Sequence, residues 1–387
     1  MPGLATDADA RARVQLTKDI IAYRLLARIS ALWLLARGYA LTPLRPTCIM
    51  TRHTSARRAG ACHDSGCGRQ GRGDTLKILV TGGAGFIGSR VAAGYLQLGH
   101  TVVVVDDLST GRRENVPTGA GFCQMRVQDA ELASLFERER FDVVNHHAAH
   151  ISVTESVADP LADAENNIMG TVNLLACAVR FGVKQFILAA SGGATYGECR
   201  PPGAGEDWPL EPQSPYGLSK MAAERYLYVY AAPHHLPFVS LRYANVYGPQ
   251  TEPAGETGVV TVFSQRLVAG LPPLIYGDGE QTRDFVYVDD VVRANICALE
   301  YPASDCFNIS TGRATSINAL VGMMIRLSGV DVAPERLPAR PGEIQHSCLN
   351  PAKAATKLGW VPQTDLEEGL RSVLELARAW WRAREGR

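Results

Sequence analysis

The stretch VTGGAGFIGS, Val80 to Ser89, decides how the rest of the chain is read. Gly82, Gly85 and Gly88 follow a short apolar run, KILV, and open a segment of helical periodicity that reaches Leu98. Glycines at a strand-to-helix turn let the backbone approach a pyrophosphate, whose charge the helix N-terminus meets. A glycine trio alone is weak evidence, so its surroundings carry the argument. The next apolar run, TVVVVDD, brings the second strand to an end at Asp106. A carboxylate about 20 residues beyond the glycines accepts the hydroxyls of an adenosine ribose and repels a 2′-phosphate. The pattern implies a dinucleotide-binding unit that prefers NAD.

Downstream the alternation continues: FDVVNHHAA, a helix, KQFILAASGG, a helix, then FVSLRYANVYG. Short Val- and Ile-rich runs separated by helical segments mean βαβ units and a parallel sheet with both faces buried. The expected class is α/β, a Rossmann-type doubly wound sheet over residues 76–249, to which the chain returns around 283–310. Residues 250–282 and 311–380 are expected to form a smaller mixed α/β lobe for the substrate. ATSINALVGMMIRL reads there as an amphipathic helix capped by Ser316.

Composition excludes more than it selects. Of 387 residues 46% are hydrophobic and 20% charged, with a net charge of zero. Nothing electrostatic points to nucleic acid or an anionic membrane surface. The nine cysteines follow no repeating spacing, which fits a reducing, cytoplasmic setting. Residues 1–75 differ from the rest, being Arg-rich and ending in a low-complexity run, and are expected to be a disordered or spuriously assigned extension. Within them Ile20 to Ala36 is interrupted by Arg24 and Arg28, too short an apolar run for a membrane span. Cys62, His63 and Cys67 make a loose cluster without a second ligand pair, so no metal is expected.

SPYGLSK supplies Tyr216 and Lys220, four apart and therefore on one helix face. An ammonium at that spacing favours the phenolate, and the positive nicotinamide of bound NAD pushes the same way. A tyrosine with an ordinary pKa of about 10 then becomes a base near neutrality. The spacing is common on exposed helices. It gains meaning downstream of a dinucleotide turn, with an apolar strand ending in Ser191 between the two.

With these motifs the chain resembles the extended short-chain dehydrogenase/reductase family, and within it the UDP-glucose 4-epimerases, from Leu76 to roughly Leu376. The resemblance rests on TGGAGFIGS, VVDDLSTG, VNHHAAHISVTES, NNIMGTVNLL, SGGATYGE, SPYGLSK, LRYANVYGP, RDFVYVDDV and RPGE. It implies NAD as cofactor, contacted by Gly82, Gly85, Phe86, Ile87, Gly88, Asp106, Asp107, Val127, His147, Ala148, Ala149, Asn167 and Tyr243. It implies Tyr216, Lys220 and Ser191 as the catalytic residues, with Thr195 as a fallback hydroxyl. For a UDP-sugar it implies Ser191, Asn245, Val260, Tyr276, Arg283, Arg340, Glu343 and Ser347. The two arginines make chemical sense because guanidinium forks pair with phosphate oxygens. His146, His147 and His150 sit at a strand end, where alternation sends neighbours to opposite faces, so they read as structural or cofactor-lining.

Several positions depart from the family or discriminate within it. Arg126 stands where relatives carry an acid for the adenine amine, with Asp129 further along. Ser191 lies one residue earlier than the usual serine, whose place is taken by Gly192. Relatives that dehydrate or decarboxylate a 4-keto sugar have an acid where this chain has Ala194, so elimination finds no proton donor here. What remains is epimerisation: oxidation at C4, turning of the 4-keto sugar and reduction from its other face, with NAD retained. Ser347 occupies the position that gates the 2-substituent, and its small side chain leaves room for an N-acetyl group. An epimerase of UDP-glucuronate, or a non-catalytic NAD-binding regulator, are the alternatives. Relatives dimerise through helices corresponding to Pro160–Phe181 and Tyr216–Ala232, so a homodimer is expected.

Overall fold

TVVVVD illustrates why the central sheet forms: Val102 to Val105 are four successive β-branched residues and all are buried, which suits a parallel strand covered by helices on both faces. The computed structural model describes residues 75–250, 258–340 and 342–385, all within one unit, Arg72–Arg387. Except for Thr75, the N-terminal extension lies outside the described residues, and so does the Cys62, His63 and Cys67 cluster.

The chain runs through β1 (Lys77–Thr81), α1 (Phe86–Gln97), β2 (Thr101–Asp106), β3 (Gly121–Gln124), α2 (Leu132–Glu139) and β4 (Val143–His146). Two short helices follow, α3 (Val153–Ala158) and α4 (Pro160–Ala164), then a π-helical turn Glu165–Met169 leading into α5 (Gly170–Arg180). Next come β5 (Gln185–Ser191), the single turn α6 (Gly192–Thr195), α7 (Pro215–His234), β6 (Phe238–Tyr243), β7 (Asn245–Tyr247), α8 (Val259–Val268) and β8 (Leu274–Tyr276). The last elements are β9 (Thr282–Tyr287), α9 (Val288–Leu299), β10 (Asp305–Ile309), β11 (Ala314–Ser316), α10 (Ile317–Ser328), β12 (Glu335–Leu337) and α11 (Leu366–Glu385).

Seven strands pair in parallel in the order β10-β6-β5-β4-β1-β2-β3. Alternate side chains feed two cores. Ile78, Val80, Val104 and Ile187 pack with α1 and α9 on one face, while Leu79, Val103, Val144 and Phe186 pack with α2, α5 and α7 on the other. Strand order reverses between β1 and β4, and in open α/β sheets the crevice at that reversal, beyond the carboxyl ends of the strands, is where ligands bind. The residues after β1 and β4 are Gly82 onward and His147 onward.

A smaller set of elements follows. β7 and β11 flank β9 in a three-stranded sheet, and β8 pairs with β12. α8, α10 and α11 enclose a separate core around Phe263, Leu267, Leu320, Met324 and Leu374. Side-chain caps fix where helices begin: Ser152 accepts from Glu155 N, Asp159 from Ala162 N, Ser214 from Gly217 N and Ser316 from Ala319 N, each at 3.0–3.1 Å.

Candidate active site

The glycine turn is built by steric exclusion. Gly82 has φ +67°, and a Cβ there would lie 2.6 Å from the Ala148 nitrogen. A Cβ on Gly88 would lie 2.3 Å from the Gly82 carbonyl oxygen. Only hydrogen fits at either place, so the turn stays tight against the end of β4. α1 begins at Phe86, after Gly85 and without a side-chain cap, which leaves its first amides open to an anion. Ile87 packs beside the core, and Phe86 lies against Arg90, 5.8 Å from ring centroid to guanidinium.

Asp106 is buried at the end of β2 and braces the turn, accepting from Ala84 N at 3.0 Å and Leu108 N at 2.9 Å. Burial raises its pKa, opposed by those two amides. Asp107 is engaged locally by the amide and hydroxyl of Ser109. Val127 is buried, with its carbonyl held by the Asn173 amide at 2.8 Å. The Arg126 guanidinium reaches across to Glu165 at 3.0 Å, so the residue that replaces the expected acid brings a carboxylate to its side.

Alternation at the end of β4 separates the histidines as anticipated. His146 lies between the hydroxyls of Thr81, at 2.7 Å, and Thr171, at 3.0 Å. His147 stacks on Tyr243 with centroids 6.3 Å apart. Burial first, and the charge of Lys220 second, hold His146 well below the usual range and push His147 down to about 3. Both are therefore neutral. The His147 Nε2 atom is buried without a hydrogen-bond partner. Tyr243 accepts from Asn295 at 2.8 Å, and Asn295 also accepts from Asn145 at 2.9 Å. The Ala148 amide donates to Thr81 Oγ1 at 3.2 Å, and half-buried Ala149 continues the segment. Asn167 brackets His150, accepting from its amide at 2.8 Å and donating to its carbonyl at 2.9 Å.

Pro215 at the first helical position, behind the Ser214 cap, starts α7 just before Tyr216. Tyr216 and Lys220 therefore share the face turned toward β5. The Tyr216 amide donates to Ser156 Oγ at 3.2 Å, and the Lys220 ammonium donates to the Ala189 carbonyl at 3.0 Å, two residues before Ser191. Burial pushes the Lys220 pKa down to about 8, against the opposing charge of Asp163. The Thr195 hydroxyl is committed to the Ser191 carbonyl at 2.5 Å and is buried. Ser191 is half-buried. A Cβ at Gly192 would sit 2.4 Å from Leu349 Cδ1, so a side chain there would have to displace the end of Leu349. Tyr196 takes no part in the crevice, being buried between Arg242 and Asn308.

Across from this loop, a Cβ at Gly193 would touch Asn245 Oδ1 at 3.6 Å and Ser347 Oγ at 3.9 Å. The loop after β5, β7 and the Ser347 segment thus meet at one point. Arg283 pairs with Glu343 at 3.1 Å, and Arg340 lies over the Tyr276 ring at 3.8 Å. Val260 is buried in the core beside Phe263 and Leu267. Among the described residues no three His, Cys, Asp or Glu side chains form a metal cluster.

The site joins a glycine turn with open amides to a tyrosine and a buried lysine on α7, with two arginines on the smaller set of elements. Residues 78–310 match the NAD dependent epimerase/dehydratase family. The chain belongs to that family. A UDP-glucose 4-epimerase of Mycolicibacterium smegmatis is 41% identical over 310 residues, 78% of this chain and 99% of that protein. Among solved structures, the UDP-glucose 4-epimerase of Thermotoga maritima with UDP-glucose is 44% identical, with a TM-score of 0.77 over 79% of this chain and 99% of that one. The Thermus thermophilus UDP-glucose 4-epimerase in complex with NAD is 41% identical, with a TM-score of 0.74 over 78% of this chain and 99% of the other.

The family motifs did not draw attention to every residue that matters here. Asp163 and Ser219 both take up the Asn167 amide, at 2.9 and 3.2 Å. The four-residue step from Asp163 to Asn167 was the only sequence sign of it. Glu198 was visible as the last letter of SGGATYGE, but its partners, Gln345 and His346, are remote in the chain.

Proposed function

We propose that the protein interconverts UDP-galactose and UDP-glucose at C4 with NAD as a resident cofactor. The observation that carries this reading is the buried Lys220 one turn from Tyr216 on α7, anchored to β5 beside Ser191, with Ala194 in place of an acid. Gly82 and Gly88, where any Cβ would collide, form a cradle that fits the NAD pyrophosphate, and Asp106 fits the ribose. NAD, when bound, supplies the acceptor for the C4 hydride and later its donor, so the sugar passes through a 4-ketone with no net oxidation.

Tyr216 takes the proton of the 4-hydroxyl and later returns it, and the Lys220 ammonium lowers the cost of the phenolate between those events. Ser191 holds O4 through both transfers. Arg283 and Arg340 take the diphosphate, which tethers the nucleotide while the 4-keto sugar turns over. Asn245 and Ser347 border the sugar, and Ser347 leaves space at C2, so UDP-N-acetylgalactosamine is a substrate as well. The test is to supply each galacto sugar without added NAD and resolve the products. Both should give the gluco epimer; turnover of neither, even with NAD supplied, overturns the reading.

The partner is a second copy of the chain. Ile151, Val157, Leu161 and Leu218 are 55%, 64%, 82% and 52% exposed, apolar side chains on the loop before α3, on α3, on α4 and at the start of α7. Leu161→Glu should convert a dimer to a monomer in light scattering; an unchanged mass would remove these side chains from consideration. Cys123, Cys177, Cys199, Cys297, Cys306 and Cys348 are free thiols, which supports a reducing compartment such as the cytoplasm. No helix of the described residues is long and apolar enough to cross a membrane.

A further inference from the structure

The segment Glu343–Leu349 carries both Glu343, which holds Arg283, and Ser347, which borders the sugar. It is fixed on one side by main-chain bonds to the start of β9: Thr282 N donates to the Gln345 carbonyl at 2.8 Å, and Ser347 N to the Thr282 carbonyl at 3.1 Å. On its other side it meets the chain that leaves the catalytic loop. There one carboxylate ties two successive residues. The Glu198 carboxylate accepts from two successive amides, Gln345 N at 2.5 Å through Oε1 and His346 N at 2.9 Å through Oε2. Cys199 N adds a bond to the His346 carbonyl at 2.9 Å, and the Cys199 thiol donates to the Cys348 carbonyl at 3.2 Å.

An ionised carboxylate spanning two adjacent N–H groups is a strong, directional tie, weakened here by solvent exposure. Its position is informative. Glu198 lies seven residues after Ser191 on the loop that contains Gly193, and Gly193 abuts Ser347. Its negative charge also acts on Arg283, together with that of Glu343, against the lowering effect of burial. The same carboxylate thus fixes the spacing between the hydroxyl that holds O4 and the residues that hold the sugar and diphosphate.

We infer that Glu198 is a positioning residue, a latch that joins the catalytic loop to the substrate segment and keeps the pocket closed while the 4-keto sugar turns over. The inference rests on the epimerase reading above. A ketone held only by its nucleotide must turn within the pocket without escaping, and loosening the latch opens that escape. The residue touches no reacting atom, so its removal should weaken substrate retention far more than the chemical step.

The experiment compares wild type, Glu198→Gln and Glu198→Ala with UDP-galactose. It reads KM, kcat, the melting temperature and the 4-keto sugar released, trapped by hydroxylamine. Glu198→Ala should raise KM by about tenfold and trapped ketone by about fivefold, with kcat within about twofold. Glu198→Gln, which keeps one acceptor oxygen, should fall between. Unchanged KM and trapped ketone would overturn the latch, as would a loss of kcat that merely follows a lowered melting temperature. Calorimetric binding of UDP-galactose separates this from the function itself. If wild type binds but does not turn over, the epimerase reading fails, and the latch stands or falls on whether Glu198→Ala weakens Kd about tenfold.

Discussion

Lys220 carries its charge at a cost set by burial, which brings its pKa down to about 8 from 10.5. On the proposed mechanism, the ammonium that supports the Tyr216 phenolate is lost as pH rises through about 8. The free protein's kcat/KM for UDP-galactose should therefore fall on an alkaline limb near pH 8, and Lys220→Met should show low activity without that limb. An identical limb in the variant would assign the titration elsewhere. Stability runs the other way. The folded pKa lies below the unfolded one, so between pH 8 and 10.5 the unfolded chain binds more protons and the folded state gains stability with rising pH. At this scale the sequence was most legible where chemistry dictates spacing, as in Tyr216 and Lys220. It was least legible where packing decides. The bond of the Thr195 hydroxyl to the Ser191 carbonyl, which favours Ser191 in the proposed role, and the contact of Gly192 with Leu349, far along the chain, both depend on the folded structure.

The strand-to-helix turn between β1 and α1 is the element proposed to cradle the cofactor. Gly88→Ala would place a methyl group against the Gly82 carbonyl, a backbone atom that cannot step aside without moving the turn. Overpacking of this kind costs about 1–3 kcal/mol, and because the displaced turn is the pyrophosphate cradle, NAD affinity should fall about 10- to 100-fold. Titration of apo-protein with NAD, with circular dichroism to verify the fold, checks this; unaltered affinity would place the pyrophosphate elsewhere. The turn and the inner parallel strands were readable from Gly, Val and Ile patterns because β1, β2, β4, β5 and β6 are buried on both faces, and α3, α4, α7 and α10 carry side-chain caps. The π-helical turn at Glu165–Met169 and the buried pair of Arg242 with Glu224, 2.5 Å apart, were not. Such features arise from partners on other elements, and no local period announces them. The same holds for Val260, whose place in the C-terminal core reflects α8 packing against α10 and α11.

At the scale of the whole molecule, the site exists because two cores are held together at one loop. The large sheet presents the glycine turn, α7 and Ser191, and the smaller elements carry Asn245, Arg283, Arg340 and the neighbouring Ser347 segment. Sequence order hides this arrangement, since β10 completes the large sheet after β7, β8 and β9 have left it. The central claim is that one hydride leaves C4 and returns to the same sugar. UDP-galactose carrying both deuterium at C4 and carbon-13 in the sugar ring is mixed with an equal amount of unlabelled UDP-galactose, converted, and the UDP-glucose analysed by mass spectrometry. Return of the hydride to the same sugar predicts deuterium only in the carbon-13-labelled product. Deuterium in product without carbon-13, or its loss to water, would contradict that return.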